Sequence, residues 1–261
     1  MNERPKAGSN TAEAETFRGQ FLKRLDRLAK KGRTVALWWR DDDAVAPTPA
    51  LERMTLIAEK YRVPLVLAVI PEGASEALAR YVADHPLLVP TQHGWAHADH
   101  ADREAGQKAA EFGANRPAEE SLADLKRGVA RMGELFGERF VPVLTPPWNR
   151  ISEDVIARRS GVGLAGLSLF GPNEDGPPLV NTHVDVIAWK KDRKFIGRAR
   201  AYYLLVEELD RRLKGSTEPL GLLTHHLVHD RATWVFLDEL LAEIAHHPGI
   251  VWPEPRQMFG V

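Results

Sequence analysis

Carboxylates and imidazoles are the side chains of this sequence that could do chemistry together. Residues 41–43 are three consecutive aspartates, and His93 and His97 form a His-x3-His pair. One carboxylate and two imidazoles can hold a divalent metal while leaving positions open for water and substrate. A second carboxylate then remains as a base, and a histidine after a later strand could supply an acid. The pattern predicts a metal site with an acid and a base beside it.

Each motif has an ordinary explanation when it is taken alone. Ten histidines placed at random in 261 residues give about 0.4 His-x3-His pairs, and His225 and His229 form a second pair. A run of aspartates is commonly a solvated turn. Three adjacent carboxylates nevertheless repel one another unless a cation is near, and either a divalent metal or Arg40 could provide that cation. The combination is more specific than its parts.

The composition excludes several other chemistries. The chain contains 35 Lys+Arg, 36 Asp+Glu and no Cys. Without cysteine there is no disulfide, thiolate zinc site, iron–sulfur cluster or thiol nucleophile. The balanced charge argues against nucleic acid or an anionic membrane as a partner. The N-terminus lacks a secretory pattern and no 18 apolar residues run together, so we expect a cytoplasmic protein with a small-molecule or oligosaccharide substrate. The oligomeric state stays open.

Short apolar runs that alternate with helix-like stretches must position these side chains. The predicted strands are 34–39, 63–70, 87–90, 140–144, 162–170, 184–189, 220–224 and 249–252. The predicted helices begin with the periodic residues from Phe17 to Leu28 and continue with 48–61, 75–84, 118–136, 151–159, 195–213 and 232–247. This alternation predicts an α/β fold, a TIM-barrel-like distorted (β/α)7-8 barrel in a single domain, with a doubly wound open sheet as the alternative. We expect a flexible N-terminal arm over residues 1–13 and the barrel domain over 14–261.

The carboxyl ends of barrel strands converge on one face, so distant residues should meet around one cleft. We expect two long loops, 98–117 and 171–183, to form its rim. Seven of the ten histidines are predicted to face this cleft: His93, His97, His100, His183, His225, His226 and His229.

The order of these motifs resembles that of the polysaccharide deacetylases, carbohydrate esterase family 4. An Asp-Asp pair, a His-x3-His pair, a Pro-Pro-aromatic loop, an Asp near a Trp and a Leu-x-His follow one another over about residues 34 to 230. The resemblance implies a distorted (β/α) barrel and a metal-dependent hydrolase that removes an acetyl group from an N- or O-acetylated, carbohydrate-like substrate. It also implies a divalent metal, with Zn²⁺ expected and Co²⁺, Ni²⁺ or Mn²⁺ as alternatives.

The resemblance assigns roles by position to the aspartates and the first histidines. Asp42 matches the general base, and Asp43, His93 and His97 match the metal ligands. A slip of one residue would give Asp41 and Asp42 instead.

The later motifs supply an acid and contacts to the substrate. Leu-x-His ends at His225, which matches the general acid, with His226 as the fallback. Pro147, Trp148 and Trp189 match positions that contact the substrate or support the oxyanion.

Two departures from the family pattern bear on the substrate. Where the family has an arginine that pairs with the base, this chain has Thr145, so Arg40 or Arg150 could take that role. The fourth motif is reduced to Asp185 and Trp189, which leaves open what orients the acid histidine. Two alternatives therefore stand beside deacetylation: hydrolysis of a small ureide or another non-peptide C–N bond on the same fold, and a non-catalytic carbohydrate-binding relative.

Overall fold

Strands and helices alternate along nearly the whole chain. The computed structural model describes residues 11–173 and 175–261. The strands are β1 (Val35–Ala44), β2 (Leu65–Val69), β3 (Leu88–His93), β4 (Val143–Thr145), β5 (Gly166–Leu167), β6 (Val184–Asp185), β7 (Leu220–Thr224) and β8 (Ile250–Val251). The helices are α1 (Thr11–Lys30), α2 (Pro49–Tyr61), α3 (Glu76–Asp84), α4 (Ala118–Phe136), α5 (Glu153–Arg158), α6 (Arg198–Leu213), α7 (Arg231–Ile244) and α8 (Pro255–Phe259).

The helices begin where the sequence provides caps. Thr48, Ser75 and Asp230 each accept a hydrogen bond from a main-chain N–H in the first turn of α2, α3 and α7, respectively. Each cap follows the end of a strand closely, so the chain turns from strand to helix within a few residues. These turns leave the carboxyl ends of the strands at one face of the molecule.

Seven parallel strands form a curled sheet in the order β5-β4-β3-β2-β1-β7-β6, and β8 pairs with the start of β1. Parallel bridges between Leu167 and Leu179 and between Phe170 and Thr182 connect the two ends of the sheet. The predicted distorted (β/α) barrel in a single domain is therefore confirmed, and the open doubly wound sheet is wrong.

The barrel interior changes from apolar to charged along β1. Trp38, Arg40 and Asp42 share one face of this strand because side chains alternate with a period of two. Trp38 belongs to a small apolar cluster, in which its ring meets Phe259 of α8 edge to face at 5.5 Å. The C-terminal helix thus closes one end of the barrel, and the aspartate side chain lies toward the other end.

The outer helices bury the apolar face of the sheet. The largest helix contact joins α1 to α6, where Phe17 meets Tyr203 at 5.4 Å and Phe21 meets Tyr202 at 6.0 Å. Of the predicted arm, residues 1–10 lie outside the described residues, and residues 11–13 form the first turn of α1 rather than a flexible segment. Among the described residues, no helix has the length and apolar character needed to cross a bilayer.

Candidate active site

The three aspartates lie within β1, not in a turn after it. The sequence predicts a strand that ends at residue 39, but β1 continues to Ala44, and its pairing with β2 shifts register between Asp41 and Ala44. Asp43 has a φ of 78°, a left-handed conformation that is uncommon outside glycine. This irregularity re-aims the end of the strand, so that Asp42 and Asp43 both join the site although neighbours in a regular strand point to opposite faces.

Asp43, His93 and His97 form a group that could hold a metal ion. Oδ1 of Asp43 lies 3.2 Å from Nε2 of His93 and 3.4 Å from Nε2 of His97. One ligand atom from each of the three residues lies within 4.8 Å of the other two. The sequence therefore predicted three residues that the fold brings together, in the register that uses Asp43.

The tautomer of His93 makes this group fit a cation. Nδ1 of His93 lies 2.9 Å from the carbonyl oxygen of Thr145, which can only accept, so Nδ1 carries the proton. In the neutral ring Nε2 then presents a lone pair toward the carboxylate of Asp43. Two acceptors at 3.2 Å repel each other unless a proton or a metal ion lies between them. Two imidazoles and one carboxylate are a common set for zinc with open positions.

Charge and burial shift the proton affinities of the three residues. Burial alone would raise the pKa of Asp43, but its contacts with His93 and the nearby His225 and His97 hold it below the usual value. Burial opposes protonation of His93, yet the carboxylates of Asp42 and Asp43 raise its pKa. Burial and the neighbouring His93 lower the pKa of His97. His97 is therefore ready to bind as a neutral ligand at neutral pH.

Asp42 is paired with Arg40 inside the barrel. The guanidinium meets both carboxylate oxygens, with Nε 2.8 Å from Oδ1 and Nη2 3.0 Å from Oδ2. Arg40 is fully buried, and it also donates to Oδ1 of Asn149 at 2.7 Å and to Oγ of Ser168 at 2.8 Å. The guanidinium therefore connects β1 to the loops after β4 and β5.

Of the two arginines that the sequence left open, only Arg40 contacts Asp42. Arg150 lies on the surface and donates to the carbonyl oxygen of Ala109 at 2.7 Å, so its expected supporting role is wrong. Thr145 is fully buried, and its main-chain oxygen accepts the hydrogen bond from Nδ1 of His93.

His225 follows β7 and lies beside Asp42 in the site. Its Nε2 lies 3.8 Å from Oδ2 of Asp42, and the indole of Trp189 meets its ring edge to face at 4.6 Å. Asp185 accepts from Nε1 of Trp189 at 2.7 Å and from the main chain of Ile187 at 2.9 Å. Asp185 therefore orients Trp189, and Nδ1 of His225 has no hydrogen-bond partner within residues 11–173 and 175–261.

Asp41 and His226 form a separate buried pair. Nδ1 of His226 lies 2.5 Å from Oδ1 of Asp41, while Oδ2 accepts from Thr224 Oγ1 at 2.6 Å and from the main-chain N–H of His226 at 3.0 Å. Burial opposes both charges, but their mutual attraction lowers the pKa of Asp41 and raises that of His226. Asp41 is thus paired with His226, whereas Asp43 lies against His93 and His97 and Asp42 lies 3.8 Å from His225, which favours the register in which Asp42 is the base.

Trp148 packs against His97, whereas Trp189 packs against His225. The ring of Trp148 is 4.3 Å from that of His97, and its φ of 56° is left-handed. Pro147, which precedes it, is buried against Gly94, a residue of the segment between His93 and His97.

Glu111 is a buried residue of the site that the sequence did not single out. Its carboxylate accepts from the main-chain N–H groups of Trp95 and Ala96, which lie between the two histidines. The only signal in the sequence was its position in the long loop 98–117, where residue type and spacing do not distinguish it.

Two of the seven histidines predicted to face the cleft do not line it. Nδ1 of His183 accepts from the N–H of Gly221 near the start of β7, and Nε2 contacts Glu218 at 3.0 Å, so this side chain belongs to the other end of the barrel. His100 is exposed on the long loop. His229 is partly buried, its ring lies 4.5 Å from that of Trp234, and both of its ring nitrogens lack partners among the described residues.

These features define a distorted β/α barrel with a candidate metal centre and a buried Asp–Arg pair at the carboxyl ends of its strands. The sequence matches no family model and no curated protein. Similarity to solved structures is found at the level of the fold.

Three solved structures illustrate this similarity. A candidate polysaccharide deacetylase from Mycobacterium smegmatis aligns with a TM-score of 0.66 and 16% identity, over 88% of this chain and 90% of that one. A family 4 carbohydrate esterase from Streptomyces lividans in complex with acetate aligns with a TM-score of 0.52 and 10% identity, over 86% of this chain and 95% of that one. The peptidoglycan deacetylase PdaC from Bacillus subtilis aligns with a TM-score of 0.52 and 15% identity, over 87% of this chain and 91% of that one. The fold expected from the motif order is therefore confirmed.

Proposed function

We propose that this protein is a metal-dependent hydrolase that removes an acetyl group from an N- or O-acetylated carbohydrate. One observation carries the proposal: Nε2 of His93, whose Nδ1 donates to the Thr145 carbonyl, faces Asp43 and His97 beside the paired carboxylate of Asp42. Two of the structural neighbours are named as deacetylases, and the third is named as a carbohydrate esterase in complex with acetate. Zn²⁺ is the expected ion, with Co²⁺, Ni²⁺ or Mn²⁺ as alternatives.

Asp43, His93 and His97 would hold the ion. A divalent metal bound there supplies Lewis acidity, which lowers the pKa of water and polarises an acyl carbonyl. The protein's own part begins with Asp42, which accepts a proton from the attacking water. Arg40 fixes both oxygens of that carboxylate, so the base is oriented before the substrate arrives.

His225 would complete the reaction by protonating the departing nitrogen or oxygen. Its Nε2 is 3.8 Å from Oδ2 of Asp42, so base and acid lie next to each other at the same site. Water adds to the acyl carbon, the bond from that carbon to the leaving nitrogen or oxygen breaks, and acetate and an amine or alcohol are released.

The Pro147–Asn149 turn offers a donor for the acyl oxygen. The N–H groups of Asn149 and Arg150 close the turn by donating to the carbonyl oxygens of Pro146 and Pro147. The N–H of Trp148 makes no such bond within the described residues, so it can donate to an oxyanion. The indoles of Trp148 and Trp189 supply faces for a sugar ring beside His97 and His225, respectively.

The test is acetate release by metal-free protein before and after addition of one equivalent of Zn²⁺. The substrates are acetylated chito-oligosaccharides, acetylated small amines and a panel of ureides. We expect acetate from the acetylated sugars, dependence on the metal, and loss of both activity and bound metal in His93→Ala. The matched control is His100→Ala, an exposed histidine whose loss should change neither.

Three results would contradict the proposal. Full metal content and full activity in His93→Ala would show that the site is wrong. Turnover of ureides without acetate release would favour the alternative C–N hydrolase. Binding of acetylated sugar without turnover at any metal would favour the non-catalytic alternative.

A further inference from the structure

Glu111 is buried against the segment that joins the two metal-binding histidines. It is 1% exposed, and its carboxylate makes two hydrogen bonds to that segment, from Ala96 N to Oε1 at 2.7 Å and from Trp95 N to Oε2 at 3.2 Å. Both donors are main-chain groups, so the interaction fixes backbone and not side chains. Nothing in the proposed chemistry uses this carboxylate.

The segment is shaped to receive this carboxylate. Gly94 has a φ of +62°, and a Cβ built on it would lie 2.0 Å from Oε2 of Glu111 and 2.7 Å from Cδ of Pro147. The carboxylate therefore occupies the space that any side chain at residue 94 would need. Glu111 and Gly94 form one complementary contact.

The conformation that Glu111 holds is not one that the segment would adopt freely. His97 has a φ of +55°, and a non-glycine residue there costs roughly 1–3 kcal/mol, which surrounding contacts must offset. At the other end of the segment, the N–H of Gly94 donates to the Thr145 carbonyl at 3.1 Å. Between these points, the two N–H groups held by Glu111 fix the distance and orientation of His97 relative to His93.

We propose that Glu111 is a positioning residue for the metal centre, because its carboxylate holds the His93–His97 segment in the conformation that aims both Nε2 atoms at Asp43. This inference rests on the proposed function only in that the same three residues are taken to be the ligands. Removal of groups that orient metal ligands typically weakens metal binding by about 10- to 100-fold.

The experiment measures the affinity of metal-free protein for Zn²⁺ and Co²⁺ by competition with a chromophoric chelator. We expect Glu111→Ala to raise the dissociation constant about 10- to 100-fold. Glu111→Gln should lie between Glu111→Ala and wild type, because the amide keeps one acceptor oxygen but turns an N–H toward a donor. The matched control is Glu104→Ala, an exposed glutamate of the same loop, which should bind like wild type.

A second readout separates positioning from general stability. Amide hydrogen exchange of metal-free Glu111→Gln should speed up at Trp95 and Ala96 while the strands keep their protection. Glu111→Gln also decides the matter if Glu111→Ala does not fold.

Folded Glu111 variants with wild-type affinity for both metals, or with unchanged exchange at these amides, would overturn the inference while leaving the proposed function intact. Wild-type protein that binds neither metal would instead overturn the proposed function, and the assigned role of Glu111 with it.

Discussion

Replacing Arg40 with methionine tests whether the guanidinium supports Asp42. The Arg40→Met side chain has similar length but removes the guanidinium that is paired with this buried carboxylate. Breaking a buried ion pair by removing one partner costs about 3–5 kcal/mol, because the remaining charge is left uncompensated. The acceptors on Asn149 and Ser168 also lose a donor, which adds about 1 kcal/mol each. A total of about 5–7 kcal/mol is a large part of the 5–15 kcal/mol that is typical for a folded protein.

Urea denaturation of the metal-free protein, followed by circular dichroism, measures this loss. The double variant Arg40→Met/Asp42→Asn should be more stable than Arg40→Met by at least about 2 kcal/mol, since the unpaired charge is gone. The control is Arg80→Met, whose arginine is 73% exposed in a 3.7 Å pair with Glu76 and should cost less than about 0.5 kcal/mol. A loss below about 1 kcal/mol for Arg40→Met, or a double variant less stable than the single one, would refute the reasoning.

Two further predictions concern Gly94 and His229. Gly94→Ala should reduce stability and metal affinity, because the added Cβ would overlap Glu111. Its loss of unfolding free energy should exceed that of Gly106→Ala by about 1–3 kcal/mol, because Gly106 also has a positive φ (+71°) but a Cβ built there would meet open space. Equal unfolding free energies for the two variants would contradict this. Burial lowers the pKa of His229 from 6.5 to about 4, so the unfolded chain takes up a proton at a higher pH than the folded protein does. The free energy of unfolding should therefore fall by up to about 3 kcal/mol as the pH drops from 6.5 to 4. His229→Phe keeps the ring beside Trp234 and should flatten the unfolding free energy between pH 7 and 4; an unchanged slope would show that His229 is not its source.

The alternation of strands and helices was predictable because each element carries its own periodic pattern. Helix α4 begins and ends at the predicted residues, and β7 matches the predicted strand in full. The end of β1 was not predictable, because three aspartates look like a solvated turn until their partners are known. Arg40 pairs with Asp42, and Asp41 pairs with His226, so the strand can stay buried through residues that are usually exposed. The five-residue helix α8 is too short to show a periodicity.

In the site, the sequence grouped Asp43, His93 and His97, and the fold brings these side chains together because all three lie at the carboxyl ends of parallel strands or after them. The sequence could not show which of Arg40 and Arg150 pairs with Asp42, since both lie near the carboxyl end of a strand. The structure distinguishes them because Arg40 shares the inward face of β1 with Asp42, whereas Arg150 donates to Ala109. Contacts between loops, as between Glu111 and the histidine segment, leave no mark in residue spacing. His183 was misplaced because it precedes β6 and therefore lies at the amino ends of the parallel strands, not at the carboxyl ends that carry the site.

The central claim is that Asp43, His93 and His97 hold a catalytic metal ion. The most direct measurement is anomalous diffraction at the zinc absorption edge from crystals of metal-free protein soaked with one equivalent of Zn²⁺. The account predicts one strong peak bounded by these three side chains, beside the carboxylate of Asp42, and no such peak in crystals of Asp43→Asn. A zinc peak elsewhere with none between these residues, or an undiminished peak in Asp43→Asn, would contradict it.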